Sequence, residues 1–273
     1  MKKIGGAPLL QLALVALGLL TAAPLLWMVS ASFMHPGDSS TFPPPLWPAR
    51  PTLENYIALF TRLQLAGNFM NSVLIAVVGT ASSVLVNAMA GYAFAKLRFK
   101  GRDRLFQLLL VALVVPTQVG MLPLFLELKA MGLVNTPLGV MIPYLSSVFG
   151  IFMVRQYALG IPDDLLDAAR IDGAGEHRIF FGIVLPVIRP ILVTLALFSF
   201  LSAWNDFLWP LIVLSDSSRF TLPVALASLA GEHIQDAELM MAGAVVTVLP
   251  VIVMFLLLQR FYTEGVMRGS LKG

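Results

Sequence analysis

The chain has 273 residues, 58% of them hydrophobic and 12% charged, with a mean hydropathy of +0.85 and a formal net charge of +3. Soluble domains carry about 25% charged residues, so this composition excludes a chain whose whole surface faces water. The absence of cysteine excludes disulfide and thiol chemistry. The net charge is not a nucleic-acid footprint, because the position of the basic residues, sorted between two sets of loops, matters more than their sum.

A spanning helix needs roughly 20 apolar residues. Six stretches qualify, over 9–33, 71–94, 105–126, 137–154, 190–208 and 242–258. Helices of this kind satisfy their own backbone inside lipid, and the alternating segments of a membrane barrel are absent from the sequence. The first stretch follows Lys2 and Lys3. At about 25 residues it exceeds the hydrophobic region of a cleaved signal, so an uncleaved first helix is expected.

Next comes Phe42-Pro43-Pro44-Pro45-Leu46-Trp47-Pro48, then Pro51-Thr52-Leu53-Glu54-Asn55-Tyr56. Prolines this dense favour extended polyproline structure, and the aromatic residues suit a membrane interface. Thr52 and Asn71 read as helix caps. Pro116 and Pro123 in the third span and Pro143 in the fourth predict kinks, which suit a moving bundle and a static bent helix equally. Inside the spans, Asn87 and Gln118 read as hydrogen-bonding glue between helices.

The stretch 155–189 separates the fourth and fifth spans. Ile161-Pro162-Asp163-Asp164 is a helix start, since proline fits the first turn and acids there complement the helix dipole. Leu165, Leu166, Ala168, Ala169 and Ile171 supply a contact face, and the two alanines let a partner surface approach closely. Gly173 takes positive φ easily and ends the helix. A second short helix follows, with Pro186 as its stop.

Asp167-Ala168-Ala169, Gly173 and Ile183-Val184-Leu185-Pro186 together resemble the cytoplasmic loop of binding-protein-dependent ABC importer permeases. That family's pattern is Glu-Ala-Ala, three residues, Gly, nine residues, Ile-x-Leu-Pro. Every spacing matches, and only Asp167 departs, keeping the charge with a reach one methylene shorter. Trp204-Asn205-Asp206-Phe207-Leu208-Trp209-Pro210 looks like the end of the fifth span in the carbohydrate-type permeases. The tail Gly265-Val266-Met267-Arg268-Gly269-Ser270-Leu271-Lys272-Gly273 is similar to that subgroup's Gly-Leu-Thr-x-Gly-x-Val-Lys-Gly, with Val266, Met267 and Leu271 departing.

The resemblance implies an all-α membrane protein of six transmembrane helices with the type I ABC importer permease fold. Residues 1–66 would form the first helix and an external Pro-rich loop. Residues 67–273 would form the transport core, with the docking loop at 155–189 and a C-terminal tail. Asp167, Ala168, Ala169, Gly173, Ile183, Leu185 and Pro186 would dock the ATPase. The implied partners are an ATPase subunit dimer, a second permease and an external substrate-binding protein, with ATP and Mg bound by the ATPase and no cofactor in this chain. The tail would touch the ATPase dimer, as in maltose-type second permeases. The implied cargo is a sugar, oligosaccharide or polyol, and the place is the bacterial inner membrane.

Charge gives the orientation. Lys2, Lys3, the Lys96–Arg104 cluster, Arg155, Arg170, Arg178, Arg189, Arg260, Arg268 and Lys272 fall on one side, and only Arg50, Arg62, Lys129 and Arg219 on the other. Basic residues in short loops mark the cytoplasmic side, so both termini are expected inside and the Lys96–Arg104 cluster reads as a topology anchor. For the substrate path the candidates are Trp204, Asn205 and Asp206. Trp204 reads as a sugar-stacking ring or an aromatic-belt residue, and Asp206 as path lining or interface.

Enzymatic chemistry has no foothold. There is no Gly-x-x-x-x-Gly-Lys-Ser/Thr loop and no Gly-x-Ser-x-Gly elbow, and His35, His177 and His233 form no metal-binding spacing. His177 reads as a surface residue. Three further readings stay open. An ion-coupled secondary transporter should carry a mid-span acid, which the sequence does not clearly supply. A membrane scaffold or sensor would have no use for an ATPase-docking loop. An ABC importer of a non-carbohydrate solute would differ only in its path.

Overall fold

The computed structural model describes the backbone of residues 7–61, 65–232 and 236–270, and the side chains of 10–61, 65–231 and 236–257. Lys2, Lys3, Arg62, His233, Leu271, Lys272 and Gly273 lie outside the described residues, as do the side chains of Arg260 and Arg268. The described residues are helical, joined by turns and irregular segments. They divide into two compact units, Met1–Ala66 with Ala225–Pro250, and Gly67–Val224 with Val251–Gly273.

Among the described residues, three helices are long and apolar enough to cross a bilayer unbroken. They belong to α1 (Ala7–Ala31, 25 residues), α3 (Leu65–Lys96, 32 residues) and the last helix, α14 (Ala237–Ser270, 34 residues). At 1.5 Å per residue, even the shortest exceeds a hydrocarbon core of about 30 Å. Three bent pairs, each counted as one span, bring the candidate spans among the described residues to six. The first is α4 (Arg102–Val111), extended by a 3₁₀ turn, with α5 (Thr117–Ala130). The second is α6 (Pro137–Met141), also followed by a 3₁₀ turn, with α7 (Val148–Leu159). The third runs from α9 (Glu176–Ile179) through α10 (Leu185–Val187) to α11 (Arg189–Asn205).

Each bend has a local cause. The expected kink in the third span is a break of 105° at Val115–Pro116, which overturns a continuous helix over 105–126. Pro116 has no N–H to donate and drives Val115 into an extended conformation, ψ 120°. Pro123, by contrast, sits inside α5 without interrupting it. The fourth span bends by 43° where Pro143 lies in a 3₁₀ turn and Ser147 caps α7. The fifth bends by 81° at Ile188, just ahead of Pro190.

In the first unit, the Pro-rich segment is irregular but held. Trp27 Nε1 donates to the Pro45 carbonyl and Ser30 Oγ to that of Leu46. A short helix follows, α2 (Glu54–Thr61). Thr52 stands one residue ahead of the cap position, taken by Leu53, and its hydroxyl accepts from the Glu54 N–H two residues on, a local turn and not the expected cap. Asn55, buried, donates to the carbonyls of Ser32 and Met34 and ties α2 to the end of α1. Near the start of α14, the fully buried Glu238 accepts from the Ser39 N–H.

The second unit holds the site. Asn71 is not a cap. It lies inside α3 and donates to the carbonyls of Ser218 and Phe220, beside Asn68, which donates to Ser217 and Phe220. Asn87 does act as glue: its amide donates to the Ser83 carbonyl and hydroxyl, while its Oδ1 accepts from the Ser147 N–H at 3.0 Å. Gln118 does not. It is exposed, and among the described residues its side chain only accepts a long hydrogen bond from the neighbouring Thr117 hydroxyl. Gly91 sets the approach of α3 to α7, because a Cβ there would lie 2.6 Å from Val154 and 2.9 Å from the Arg155 backbone nitrogen.

Candidate docking site

The loop after α7 begins with Ile161, buried, and Pro162, then forms α8 (Asp163–Ile171). Asp163 and Asp164 stand in its first turn, where the helix dipole favours them. Leu166 points down and is 1% exposed, in a core with Ala88, Tyr92 and Ala95 of α3, Val154 and Ala158 of α7, and Ile179 and Phe180. Burying a leucine contributes about 1.5–3 kcal/mol, so Leu166 pins α8 to the helices beneath it.

The far end of α8 closes in a Schellman motif. Gly173 has φ +82°, its N–H donates to the Arg170 carbonyl, and the Ala174 N–H donates to that of Ala169. Ala169 and Ala174, the small pair that closes the motif, both pack against the same core. The outward face is therefore narrower than the sequence predicts. Leu166 and Ala169 belong to the interior, and Leu165, Ala168 and Ile171 remain outside, Ile171 at 87% exposure. Asp167 is exposed beside them and accepts from Arg170 at 2.7 Å.

The second half of the motif departs from expectation. After α9 the chain makes a π-helical turn over Phe180–Val184, then α10. Pro186 does not stop the helix. It is exposed within α10, and the chain turns at Ile188, two residues later. Ile183 and Leu185 are half-buried against the core under α8. The structure thus separates the predicted docking residues into an outward set, Asp167, Ala168, Gly173 and Pro186, and a supporting set, Ala169, Ile183 and Leu185.

Charged residues lock the element in place. Arg170 donates to Asp167 and, at 2.8 Å, to Glu176, joining the two arms of the loop. These two carboxylates hold the Arg170 guanidinium well above its ordinary range. Glu176 also accepts from the Tyr92 hydroxyl of α3 at 2.6 Å. Lys96, at the end of α3, donates to the Ile161 carbonyl and to Asp163, both at 2.6 Å, and its side chain is only 6% exposed. The hydrogen bond and charge of Lys96 keep the Asp163 carboxyl below the usual carboxylate range. Arg155 lies 4.0 Å over the Phe106 ring, linking α7 to α4.

The sequence reading missed Tyr92, Lys96, Arg170 and Glu176. It took Lys96 as a topology anchor, yet the side chain is buried and bonded. One signal was present: Tyr92 and Lys96 are four residues apart, so they share a face of α3.

The substrate-path candidates do not converge on one surface. Trp204 is buried, stacked on Phe200 at 5.6 Å and edge-on to Phe69. Asn205 is exposed and donates to the Leu201 carbonyl in its own helix. Asp206 accepts from the Tyr144 hydroxyl at 2.6 Å and from the Trp209 N–H at the start of α12 (Leu208–Val213). No group of three potential metal ligands occurs among the described residues.

Comparison with known proteins agrees with this architecture. The family model for the binding-protein-dependent transport system inner membrane component matches residues 87–266. The chain is 39% identical over 272 residues to the arabinooligosaccharides transport system permease protein AraQ of Halalkalibacterium halodurans, covering 97% of this chain and 96% of that protein. It is 38% identical to the lactose transport system permease protein LacG of Rhizobium radiobacter, over 80% of each. Its fold superposes with a TM-score of 0.82, at 22% identity, on a chain of a bacterial ABC transporter involved in the import of the acidic polysaccharide alginate, covering 96% of this chain and 99% of that one. The six spans, the braced loop and this near full-length likeness lead to one conclusion: the chain belongs to the binding-protein-dependent transport system inner membrane components, and is a transport permease and not an enzyme.

Proposed function

We propose that this permease imports an oligosaccharide or a related sugar or polyol, and that it docks a separate ATPase through the 163–186 element. The observation that carries the reading is the exposed Leu165, Ala168 and Ile171 face of α8, fixed from beneath by Leu166, Lys96 and Arg170. A rigid apolar ledge at the end of a membrane helix is suited to transmit a push. ATP, with Mg, would be bound by an ATPase dimer, whose closure would drag α8 and swing the attached spans between inward-facing and outward-facing states. A second permease would supply the other half of the path, and an external binding protein the cargo. The tail from Gly265 would reach toward the ATPases. The sugar assignment is supported by the names of the relatives, which transport arabinooligosaccharides and lactose.

The basic residues support cytoplasmic termini and a cytoplasmic 155–189 loop. A single cysteine placed at Ser217, in a chain with none of its own, should be labelled by an impermeant reagent from outside. Labelling only from inside would reverse the topology. For transport itself, proteoliposomes holding the permease pair, ATPase and binding protein should take up oligosaccharide only with ATP. Uptake by this chain alone, driven by a membrane potential, would replace the reading with a secondary transporter.

A further inference from the structure

We propose that the cleft between the end of α3 and the start of α4 binds the phosphate headgroup of an anionic phospholipid. The cleft measures about 580 Å³ and is lined by Arg98, Phe99, Gly101, Arg102, Asp103 and Arg104. Its internal charges do not cancel. Asp103 is its one acid and is taken by Arg102, whose Nε donates to it at 3.1 Å while Nη1 reaches the Leu97 carbonyl. The Arg98 and Arg104 side chains are exposed and make no side-chain hydrogen bond or ion pair among the described residues, Arg98 acting on Asp163 only through its charge. Lys100 adds a further cation to the same turn. The site therefore presents an excess of guanidinium groups, and guanidinium matches a phosphate diester in planar, two-pronged fashion.

Depth selects the kind of anion. One wall is the turn at 98–101 that directly follows the 32-residue spanning helix α3, and the other is the first turn of α4, which is mostly apolar from Leu105 onward. The cleft thus sits where two membrane helices leave the bilayer, at headgroup level. Leu105 and Leu108 of α4 are 50% and 68% exposed and continue outward from the cleft as a surface for acyl chains. Phe99, 41% exposed and 5.9 Å from Phe94, supplies the aromatic edge of an interfacial site. Basic character alone would serve an acidic protein surface equally. Basic character joined to an apolar helix face at this depth favours a lipid. The inference rests on the spans and not on the docking assignment.

The test uses the full chain purified into nanodiscs of mixed phosphatidylglycerol and phosphatidylcholine, with retained lipids counted by native mass spectrometry. The wild type should retain phosphatidylglycerol over phosphatidylcholine. Arg98→Gln combined with Arg104→Gln should lower that preference about tenfold, given two lost headgroup contacts. Arg50→Gln with Lys129→Gln, elsewhere in the chain, should leave it unchanged. Equal thermal unfolding of the variants shows that folding is not the cause. Displacement of the lipid by millimolar inorganic phosphate would reassign the cleft to a soluble phosphate and overturn the proposal. Unchanged lipid preference with loss of the ATPase from the assembled complex would overturn it in favour of a protein contact.

Discussion

Gly173→Pro is expected to abolish ATP-driven uptake while leaving insertion into the membrane intact. Proline locks φ near −65°, and residue 173 has φ +82°. The substitution also deletes the N–H that donates to the Arg170 carbonyl, so the Schellman closure of α8 fails on two counts. The local cost is about 3 kcal/mol or more, the scale of a proline that breaks a helix. Gly173→Ala separates backbone from packing. A Cβ at this position meets nothing within 4 Å, so alanine suffers only the left-handed backbone, about 1–2 kcal/mol, and should keep partial uptake. The measurements are membrane expression, ATPase co-purification and proteoliposome uptake. A well-expressed Gly173→Pro protein with normal uptake would sink the docking assignment.

Lys96→Met should uncouple the machine. Lysine reaches from the end of α3 to the Ile161 carbonyl and Asp163, and methionine fills similar space with no donor. The abandoned carbonyl lies at a buried residue, and such an unmade bond costs about 1–3 kcal/mol. That loosens the tie between α8 and α3, so uptake per ATP hydrolysed should fall about tenfold, at roughly 1.4 kcal/mol per decade. Lys96→Arg, which keeps donors and charge, should restore most of the coupling. Asp163→Asn should do less, because that carboxylate is exposed and surface pairs contribute little. Equal loss of uptake and of ATPase binding in Lys96→Met would show that lysine merely supports the loop's fold and transmits nothing.

The contrast between these two residues shows what local sequence records. Pro162, the paired aspartates and Gly173 act on their own neighbours, so α8 and its turn were legible from spacing. Tyr92 and Glu176 are 84 residues apart, and Lys96 and Asp163 are 67 apart. No periodicity announces such a pairing, because the reach of a side chain across a fold is set by packing. Prolines show the same limit. Pro116 and Pro123 look alike in an apolar run, yet one breaks the span and the other rides inside a helix. Asn71 looked like a cap because its polarity sits near an expected helix start. The helix begins earlier, and the amide serves the 217–220 turn. The contact face of α8 was read two residues too wide, Leu166 and Ala169, since alanine and leucine do not reveal which of them the core will claim.

The bond from Asn87 to the Ser147 N–H has a consequence for how the chain is made. The bend in the fourth span frees backbone groups that lipid cannot serve, and each unserved group costs several kcal/mol there. The acceptor comes from α3, which leaves the ribosome 60 residues earlier. The fourth span is thus poorly suited to enter the bilayer by itself and well suited to wait beside an already inserted α3. Biogenesis of this protein should therefore be ordered, with α3 acting as an internal template. Replacing Asn87 with leucine would make α3 more apolar, yet should slow release of the fourth span from the insertion machinery.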